Sequence, residues 1–406
     1  MKILHVIPSM NPSTGGPCEV VRNIIPELEK LNVVNEVVCL DNPIDNFNTK
    51  DLFKIISLGP SVNPWHYTRK LEPWLVKNLG RFDVVIVHAL WLYHGYAFQK
   101  AFKKFKKINV SYNKEFRMPR YYVMPHGMLD PYFQQASERK LKAIRNRVYW
   151  KLIESVLINN ADGLLFTCQS ELTLARQSFT PYYPKNEINI GCGIKSPPPF
   201  ETAMAEAFFE KCPQLNKQPF ILFLSRIHEK KGVHNLIEAY SKIFDNLSNN
   251  PTEKVLLPKL VIAGPGLETP YGKKIQELIA KSDAMGRSVF FPGMIRSSAK
   301  WGAFYCAEAF ILPSYQENFG IAVVEALACK KPVLISKQVN IWREIIEDGG
   351  GMAEDVGTAG AQNLIESWIK ISGEDKKIMG EKAWRSFVKN FSVTNAAKQL
   401  FQLVTE

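Results

Sequence analysis

The sequence predicts an α/β fold with two domains, each built on a parallel sheet. Short apolar runs alternate with amphipathic helical patterns along all 406 residues, and this alternation is typical of parallel sheets covered by helices. A chain of this length is also long enough to form two domains with separate hydrophobic cores. The proline-rich residues 196–200 interrupt the alternation. We therefore place the domain boundary there, with residues 1–198 in the first domain and residues 199–387 in the second.

Composition restricts the class of protein. The formal net charge is +12, and the seven cysteines form no Cys-x-x-Cys pair. This cysteine pattern is typical of a reduced, cytoplasmic protein without a zinc site. No apolar run reaches the roughly 18 residues of a membrane span, and Pro8 ends the first apolar stretch too early for a secretory signal. The basic residues are not interleaved with base-stacking aromatic residues, so nucleic acid is not an expected partner.

The most informative segment is residues 317–325, which contain two carboxylates on either side of a glycine. The apolar run before it, residues 309–314, predicts a buried strand. Glu317 then lies in the loop after a strand, and Glu325 lies on the helix that follows. The first N–H groups of that helix, near Gly320, have no partners within the helix and are suited to bind phosphate. Glu325 lies roughly 7–8 Å further along the helix, which is close to the distance from a nucleotide's diphosphate to its ribose.

A second segment follows the apolar run at residues 220–224, which predicts another strand. Arg226 and Lys231 lie in the loop between this strand and the next helix, where open α/β sheets bind ligands. Both side chains bind phosphate oxygens, so the pair is suited to a diphosphate. A third segment places Gly264 and Gly266 after a further predicted strand, and glycines allow the backbone to approach a ligand closely.

Each segment alone also has a simpler interpretation. Arg226 and Lys231 would be ordinary solvated charges of a loop, and the two glycines would form a plain turn. Glu325 would be the helix partner of Lys330 or Lys331. Its neighbours are apolar, however, and a carboxylate in a buried turn requires a partner. The combination of the three segments over about a hundred residues favours a ligand site.

In this order and spacing, the three segments resemble the carboxyl-terminal domain of the retaining glycosyltransferases of family 4, which have the GT-B fold. The resemblance implies two Rossmann-like α/β/α domains that face each other across a cleft. It implies that residues 1–198 bind the acceptor, completed by a last helix at about residues 388–406 that crosses back, and that residues 199–387 bind a nucleotide-sugar donor. It implies neither a cofactor nor a metal ion, because the cations that bind the diphosphate belong to the protein.

The resemblance also implies roles for single residues. Arg226 and Lys231 bind the diphosphate, Glu317 contacts hydroxyls of the donor sugar, and Glu325 holds the ribose. The strand end near Met294 meets the nucleobase. The implied catalytic residues are His126, Glu317, Arg226 and Lys231. The implied donor-binding residues are Gly16, Arg226, Lys231, Gly264, Gly266, Met294, Glu317, Asn318, Phe319, Gly320, Ile321 and Glu325.

The first domain supports the resemblance through two shorter segments. Residues 12–17 form a loop that opens a helix, and the resemblance places this loop, with Gly16, beside the donor phosphate or the acceptor. His126 follows a predicted strand and begins the string His-Gly-Met-Leu-Asp-Pro, which is similar to that of bacterial enzymes that build extracellular or envelope polysaccharides. A simpler alternative is that His126 caps its loop by a hydrogen bond to the backbone. The chain departs from the family at residues 191–193, where Gly-Cys-Gly replaces the frequent Pro-Asn-Gly.

His88, Trp91 and Asp130 are candidate acceptor residues. His88 follows the predicted strand at residues 83–87, and the aromatic face of Trp91 suits a sugar ring. A histidine packed at the strand end is an equally good interpretation of His88. Asp130 is also consistent with a cap for a turn or helix at Pro131.

Two basic segments of the first domain are candidates for contact with an anionic membrane. Residues 98–107 place lysines on one side of a predicted helix and phenylalanines on another, and residues 139–147 form the second segment. Each cation near an anionic surface contributes on the order of 1 kcal/mol. The alternative is that the phenylalanines face the core and the lysines face water.

The resemblance thus implies a retaining glycosyltransferase that moves a hexose from a nucleotide-diphosphate sugar to a hydroxyl of a saccharide or lipid-linked saccharide. UDP-glucose is the expected donor on family frequency, and polysaccharide biosynthesis is the expected process. The expected location is the cytoplasm, either free or in peripheral contact with the inner face of the plasma membrane. Two alternatives remain: a nucleotide-sugar 2-epimerase of GT-B fold, and a catalytically idle membrane-adsorbed assembly protein.

Overall fold

The computed structural model describes residues 1–45, 47, 51–111, 117–135, 140–249, 256–281 and 283–406. The chain divides into two compact units, one formed by Met1–Lys195 with Val393–Glu406 and the other by Ser196–Ser392. The boundaries expected from the sequence were after residue 198 and at about residue 388. Each unit contains one parallel sheet with helices, so the predicted α/β fold is confirmed.

Within its described residues, the first unit is built on a sheet of seven parallel strands in the order β3-β2-β1-β4-β5-β6-β7. Its strands are β1 (Lys2–Val6), β2 (Val34–Cys39), β3 (Lys54–Ser57), β4 (Val84–His88), β5 (Arg120–Met124), β6 (Gly163–Phe166) and β7 (Glu187–Asn189). Its helices before the boundary are α1 (Gly16–Lys30), α2 (Leu71–Asn78), α3 (Tyr93–Ser111), α4 (Tyr132–Gln135), α5 (Lys140–Tyr149), α6 (Ser155–Asn159) and α7 (Gln169–Ala175). Every residue of β4 is buried, as expected when helices cover both faces of a parallel sheet.

The second unit, over its described residues, is built on six parallel strands in the order β10-β9-β8-β11-β12-β13. Its strands are β8 (Phe220–Leu224), β9 (Lys259–Ala263), β10 (Val289–Gly293), β11 (Ala309–Leu312), β12 (Val333–Ser336) and β13 (Gly351–Glu354). Its helices are α8 (Thr202–Lys211), α9 (Val233–Asn249), α10 (Pro270–Ala280), α11 (Asp283–Gly286), α12 (Ser297–Cys306), α13 (Ile321–Ala328), α14 (Trp342–Glu347), α15 (Thr358–Lys370) and α16 (Gly373–Ser386). The last helix of the chain, α17 (Val393–Thr405), belongs to the first unit.

Each sheet has a point where the strand order reverses, between β1 and β4 in the first unit and between β8 and β11 in the second. The connections that leave the two strands at such a point run in opposite directions, which opens a crevice at the carboxyl ends of the strands. Ligands of open α/β sheets bind in this crevice. The fold therefore singles out the loops after β1, β4, β8 and β11.

Helix α17 packs on α1 and closes the first unit. The N–H of Val393 donates a hydrogen bond to the carbonyl of Ile194 (3.0 Å), and the guanidinium of Arg120 donates to the carbonyl of Val404. Gly193 lies directly against this junction, because a Cβ added to it would overlap the backbone of Val393. The approach of α17 thus explains a glycine at position 193, within the string that departs from the family pattern.

We expect Gly193→Ala to lower the free energy of unfolding by about 1–3 kcal/mol, because the added methyl group forces α17 away from the strand end. Gly373→Ala is the matched control, since no atom lies within 4 Å of the Cβ that it adds at the start of α16. Urea unfolding of both variants measures the difference. Equal stability of the two variants would contradict the close approach of Val393 to Gly193.

Candidate functional site

An ion pair joins two loops at the carboxyl edge of the second sheet. Lys231 ends a short 3₁₀ turn after β8, and Glu317 lies in the loop after β11. The Nζ of Lys231 contacts the carboxylate of Glu317, and the two side chains are only 9% and 23% exposed. The fold therefore brings together two predicted site residues that are 86 positions apart in the chain.

Hydrogen bonds of its own backbone hold Glu317 in place. Its N–H donates to the carbonyl of Gln338 (2.9 Å), and its carbonyl accepts from the N–H of Asn340 (2.9 Å). Glu317 also forms an isolated parallel bridge with Val339. The segment after β12 thus fixes the backbone of Glu317, which limits the positions that its carboxylate can reach.

Arg226 is exposed on a loop that is anchored on both sides. The N–H of Ser225 donates to the carbonyl of Ala263 (3.1 Å), and the N–H of Ile227 donates to the carbonyl of Pro265 (2.8 Å). Within the described residues, the guanidinium of Arg226 has no hydrogen bond or ion pair. Its charge is therefore available to a ligand.

Gly264 and Gly266 lie against this Arg226 loop. Both have positive φ angles, 141° and 120°, and a Cβ added to them would overlap the carbonyl oxygens of Ser225 and Ile227. Their lack of side chains lets the two loops pack backbone to backbone. The structure thus gives these glycines a role in supporting Arg226, whereas direct contact with a ligand stays a prediction.

Glu325 has a partner that the sequence analysis missed. Its Oε1 lies 2.7 Å from the Nζ of Lys300 on α12, and both side chains are mostly buried. Lys330, which we considered as a partner, instead contacts Glu381 at 2.8 Å. Gly320, with φ 74°, is the N-cap of α13, which carries Glu325. No local pattern marks Lys300, because its approach depends on how α12 packs within the unit.

The other predicted donor residues of the second unit differ in exposure. Phe319 is buried, and its ring packs edge-on against another phenylalanine, so its N–H rather than its side chain is suited to a ligand. The Oδ1 of Asn318 lies 3.5 Å from the amide nitrogen of Asn340. Ile321 begins α13, and Met294 follows β10 with 48% of its surface exposed.

In the first unit, His126 follows β5 with a positive φ of 53°, which is uncommon for a residue other than glycine. The N–H of Gly127 donates to Oε1 of the buried Glu171 (2.5 Å), so a carboxylate holds this turn. The Nε2 of His126 lies 3.0 Å from the Nδ1 of His88. The imidazole of His126 therefore bonds to a second histidine, and Glu171 rather than His126 caps the loop.

The remaining predicted residues of the first unit are Gly16, Trp91 and Asp130. The ring of Trp91 packs against Phe179 with centroids 5.2 Å apart, so part of its surface belongs to the core. Asp130 accepts an N–H from the start of α4 (2.9 Å) and caps that helix. Gly16 begins α1, and a Cβ added to it would meet no atom within 4 Å, so the backbone is accessible there.

Several titratable groups of the first unit have shifted pKa values. Burial lowers the pKa of His5 and His94 to about 4 and that of His126 to about 3, and it holds the pKa of His88 well below its ordinary value. Burial raises the pKa of Glu154, which accepts the N–H of Trp91, to about 8.

Among the described residues, no three His, Cys, Asp or Glu side chains form a group that could hold a metal ion.

We expect the free energy of unfolding to fall as the pH is lowered from 7 to 5. Below pH 6.5 the unfolded chain takes up protons on the four histidines that stay neutral in the folded protein. Each of these histidines then lowers the free energy of unfolding by up to about 1.4 kcal/mol per pH unit. Glu154 acts in the opposite direction, because it is protonated when folded and ionised when unfolded above its ordinary pKa. The net loss is therefore about 4 kcal/mol per pH unit near pH 5.5. Urea unfolding across this range measures it, and a constant or rising stability would contradict the neutral state of these histidines.

Part of the chain is similar to known glycosyltransferases. Residues 205–385 match the family described as Glycosyl transferases group 1, and this match covers Arg226, Lys231, Glu317 and Glu325. D-inositol 3-phosphate glycosyltransferase of Corynebacterium urealyticum is 24% identical over 263 residues, which are 62% of this chain and 58% of that protein. O-antigen chain mannosyltransferase B of Escherichia coli is 25% identical over 166 residues, which are 39% of this chain and 40% of that protein. The chain thus spans about half the length of these curated relatives.

The fold has close counterparts among solved structures. Anabaena HepE in complex with UDP superimposes with a TM-score of 0.70 at 17% identity, and the match covers 100% of both chains. At this identity the likeness concerns the fold, whereas membership of family 4 and retention of configuration stay predictions. Residues 205–385 are therefore similar to the family Glycosyl transferases group 1, and the chain has the GT-B fold with two Rossmann-like units.

Proposed function

We propose that this protein is a glycosyltransferase that moves a hexose from a nucleoside diphosphate sugar, with UDP-glucose as the first candidate, to a saccharide or lipid-linked saccharide in polysaccharide biosynthesis. One observation carries the proposal: Lys231 and Glu317 converge where the strand order reverses, inside the segment that matches Glycosyl transferases group 1. The similarity to an O-antigen chain mannosyltransferase supports a saccharide acceptor, and the UDP bound to HepE supports a uridine nucleotide.

The second unit is the proposed donor site. The exposed guanidinium of Arg226, the ammonium of Lys231 and the start of α13 supply positive potential for a diphosphate. These groups stabilise the negative charge that grows on the leaving diphosphate, which is commonly the largest catalytic contribution. Glu325 is the proposed ribose ligand, with Lys300 holding its carboxylate in place. The protein cations meet the charge of the diphosphate, so the proposal requires neither a cofactor nor a metal ion.

Lys231 can pair with either of two anions, the carboxylate of Glu317 or the diphosphate of a donor. Glu317 neutralises Lys231 in the structure, so a diphosphate must share Lys231 with that carboxylate or displace it. Displacement would leave the Glu317 oxygens to accept hydrogen bonds from hydroxyls of the donor sugar.

The transfer itself breaks the bond between the anomeric carbon and the diphosphate oxygen and forms a bond to the acceptor oxygen. The acceptor proton goes to the leaving diphosphate, which permits attack on the same face and retention of configuration.

The acceptor is proposed to bind the first unit. The candidate residues are His88, Trp91 and Asp130, of which His88 is almost completely buried and would act through His126 rather than touch the acceptor. His126 is proposed to position the reacting end of the donor sugar, and Gly16 lies in an accessible stretch of backbone. Trp91 and Asp130 also have structural partners, so each would serve the fold as well as the acceptor.

We expect Lys231→Ala to weaken UDP binding by roughly 10–100-fold, because it removes a hydrogen bond between charged groups worth about 1.5–3 kcal/mol. Glu325→Gln should weaken UDP binding through the ribose. Glu317→Gln should leave UDP affinity equal or higher, because it removes the competing anion from Lys231. Isothermal titration with UDP, GDP and ADP measures these constants.

The control for this series is Lys389→Ala, which removes a surface ion pair with Asp348. Its UDP affinity should equal that of the unaltered protein. A nucleotide affinity unaffected by Lys231→Ala would overturn the diphosphate assignment. Binding of none of the three nucleotides would overturn the proposed function and favour the idle assembly protein, and conversion of donor alone into a different sugar would favour the epimerase.

Peripheral contact with an anionic membrane is a second part of the proposal. Among the described residues, no helix is both long and apolar enough to cross a bilayer. Of the two basic segments, residues 98–107 form part of α3, in which Phe98 is buried, Phe102 packs against the core and Lys100 contacts Glu72 at 3.0 Å. The alternative interpretation, with phenylalanines in the core, therefore holds for α3.

The second segment has the features of a membrane-facing helix. Helix α5 and the turn after it expose large apolar side chains at helical spacing, with 84%, 59%, 54% and 72% of the surface exposed at Leu141, Ile144, Val148 and Leu152. The same stretch contains the basic residues Lys140, Lys142, Arg145, Arg147 and Lys151, and no acidic residue lies between Lys140 and Lys151. An apolar face flanked by cations matches an anionic lipid surface. Arg139, which the sequence analysis included, lies outside the described residues.

We expect the double variant Leu141→Asp, Ile144→Asp to bind anionic vesicles at least about tenfold more weakly, because it removes the apolar contact and adds repulsion. Co-sedimentation with phosphatidylcholine vesicles containing about 30% phosphatidylglycerol measures this binding. The control Ile44→Asp, Leu52→Asp changes two other well-exposed apolar residues of the first unit. If the unaltered protein does not sediment, or both double variants sediment equally, the α5 face is not a membrane surface.

A further inference from the structure

A line of hydrogen-bonded side chains crosses the first sheet and ends at His126. His126 Nε2 lies 3.0 Å from His88 Nδ1, and His88 Nε2 lies 3.0 Å from His5 Nδ1. His5 Nε2 lies 3.2 Å from Oδ1 of Asn35. Successive imidazole rings are 5.3 Å apart and nearly parallel. Asn35, His5 and His88 are almost completely buried, so these contacts are made away from water.

The register of the sheet explains why these four residues meet. His5 pairs with Val37 on β2, and Asn35 lies two residues before Val37 on the same face. The next two steps repeat this offset, because His5 pairs with Ile86 two residues before His88, and His88 pairs with Met124 two residues before His126. Each step therefore moves one strand sideways and two residues toward the carboxyl edge. The line begins inside the sheet and ends at the edge where ligands bind.

The hydrogen-bond directions along the line follow from its first member. The amide nitrogen of Asn35 donates to the carbonyl of Val33 (2.9 Å), so the amide oxygen faces His5. This oxygen can only accept, so His5 must carry its proton on Nε2 and accept on Nδ1. His88 then donates from Nε2 and accepts on Nδ1, and His126 donates from Nε2. Nδ1 of His126 therefore carries no proton, and its lone pair can accept a hydrogen bond.

We propose that Asn35, His5 and His88 are positioning residues that hold His126 in one neutral tautomer, with the proton on Nε2 and a bare Nδ1 that accepts a hydrogen bond from a ligand hydroxyl. Within the described part of the chain, Nδ1 of His126 has no hydrogen-bond partner. It is also not one of the buried side-chain nitrogens without a partner, so this atom is not shut off from solvent. His126 itself is only partly buried. Its Nδ1 is therefore the atom that the line presents at the edge of the sheet.

The surroundings favour a neutral line. Burial depresses the pKa of all three histidines, so an extra proton is unfavourable at pH 7. The neighbouring groups are Glu171, whose carboxylate accepts the N–H of Gly127, and His94, whose Nε2 donates to the carbonyl of His88 (2.7 Å). An amide at the far end cannot take up a proton, so the line does not conduct protons to solvent. Its effect is to orient His126 as a hydrogen-bond acceptor.

Nitrogen NMR of the full-length protein labelled with ¹⁵N-histidine tests this inference without any ligand or assay of activity, so it stands apart from the proposed function. Loss of one resonance pair in His126→Gln assigns His126 among the seven histidines. We expect a protonated Nε2 and an unprotonated Nδ1 that do not titrate between pH 5 and pH 8. A proton on Nδ1 of His126, or an imidazolium there at pH 7, overturns the inference.

Asn35→Leu distinguishes positioning by the line from a local preference of His126. Without the amide acceptor the line loses its direction, so the two ¹⁵N shifts of His126 should move toward each other as the tautomers mix. Asn146→Leu makes the same change at another buried asparagine of the first unit and should leave the His126 pattern unchanged. An unchanged pattern in a folded Asn35→Leu protein would show that Asn35 does not set the tautomer.

Discussion

The parallel pairing of strands within each unit is the constraint on which both candidate sites depend. When all strands run in one direction, the loops that leave their carboxyl ends lie at one edge of the sheet. Pairing β8 with β11 places the loop of Arg226 and Lys231 beside the loop of Glu317. In the first unit the same pairing carries a diagonal of side chains from Asn35 to His126. Residues that are far apart in the chain therefore lie close together in the folded unit.

Charge is balanced within the proposed donor site, and this balance links stability to binding. A partly buried carboxylate without a cation would be costly, and Lys231 and Lys300 provide cations for Glu317 and Glu325. In the proposed function Lys231 is also a ligand of the diphosphate. The same ammonium would then stabilise the protein alone and bind the donor, so affinity would reflect a competition between two anions. Arg226, which has no partner in the described chain, adds attraction without such competition.

Close backbone packing holds the loops and helices of both units in place. Gly264 and Gly266 let one loop lie against the carbonyls that flank Arg226, and Gly193 does the same for α17. The left-handed backbone of His126 is held from two sides, by the carboxylate of Glu171 and by the imidazole of His88. Unfavourable backbone geometry of this kind persists where the surroundings impose it, and such positions are frequent at functional sites.

The sequence alone determined the α/β class, the approximate unit boundaries, the basic and acidic loops after β8 and β11, and the glycosyltransferase resemblance, because each rests on a local pattern of residues. Tertiary structure decided which side chains are partners. Lys300 beside Glu325, and His5 with Asn35 behind His88, carry no local signal, since their contacts depend on helix packing and strand register. It also decided that the phenylalanines of α3 belong to the core while α5 exposes Leu141, Ile144 and Val148. Both helices are basic and amphipathic, and only the surface they pack against determines which apolar face remains in water.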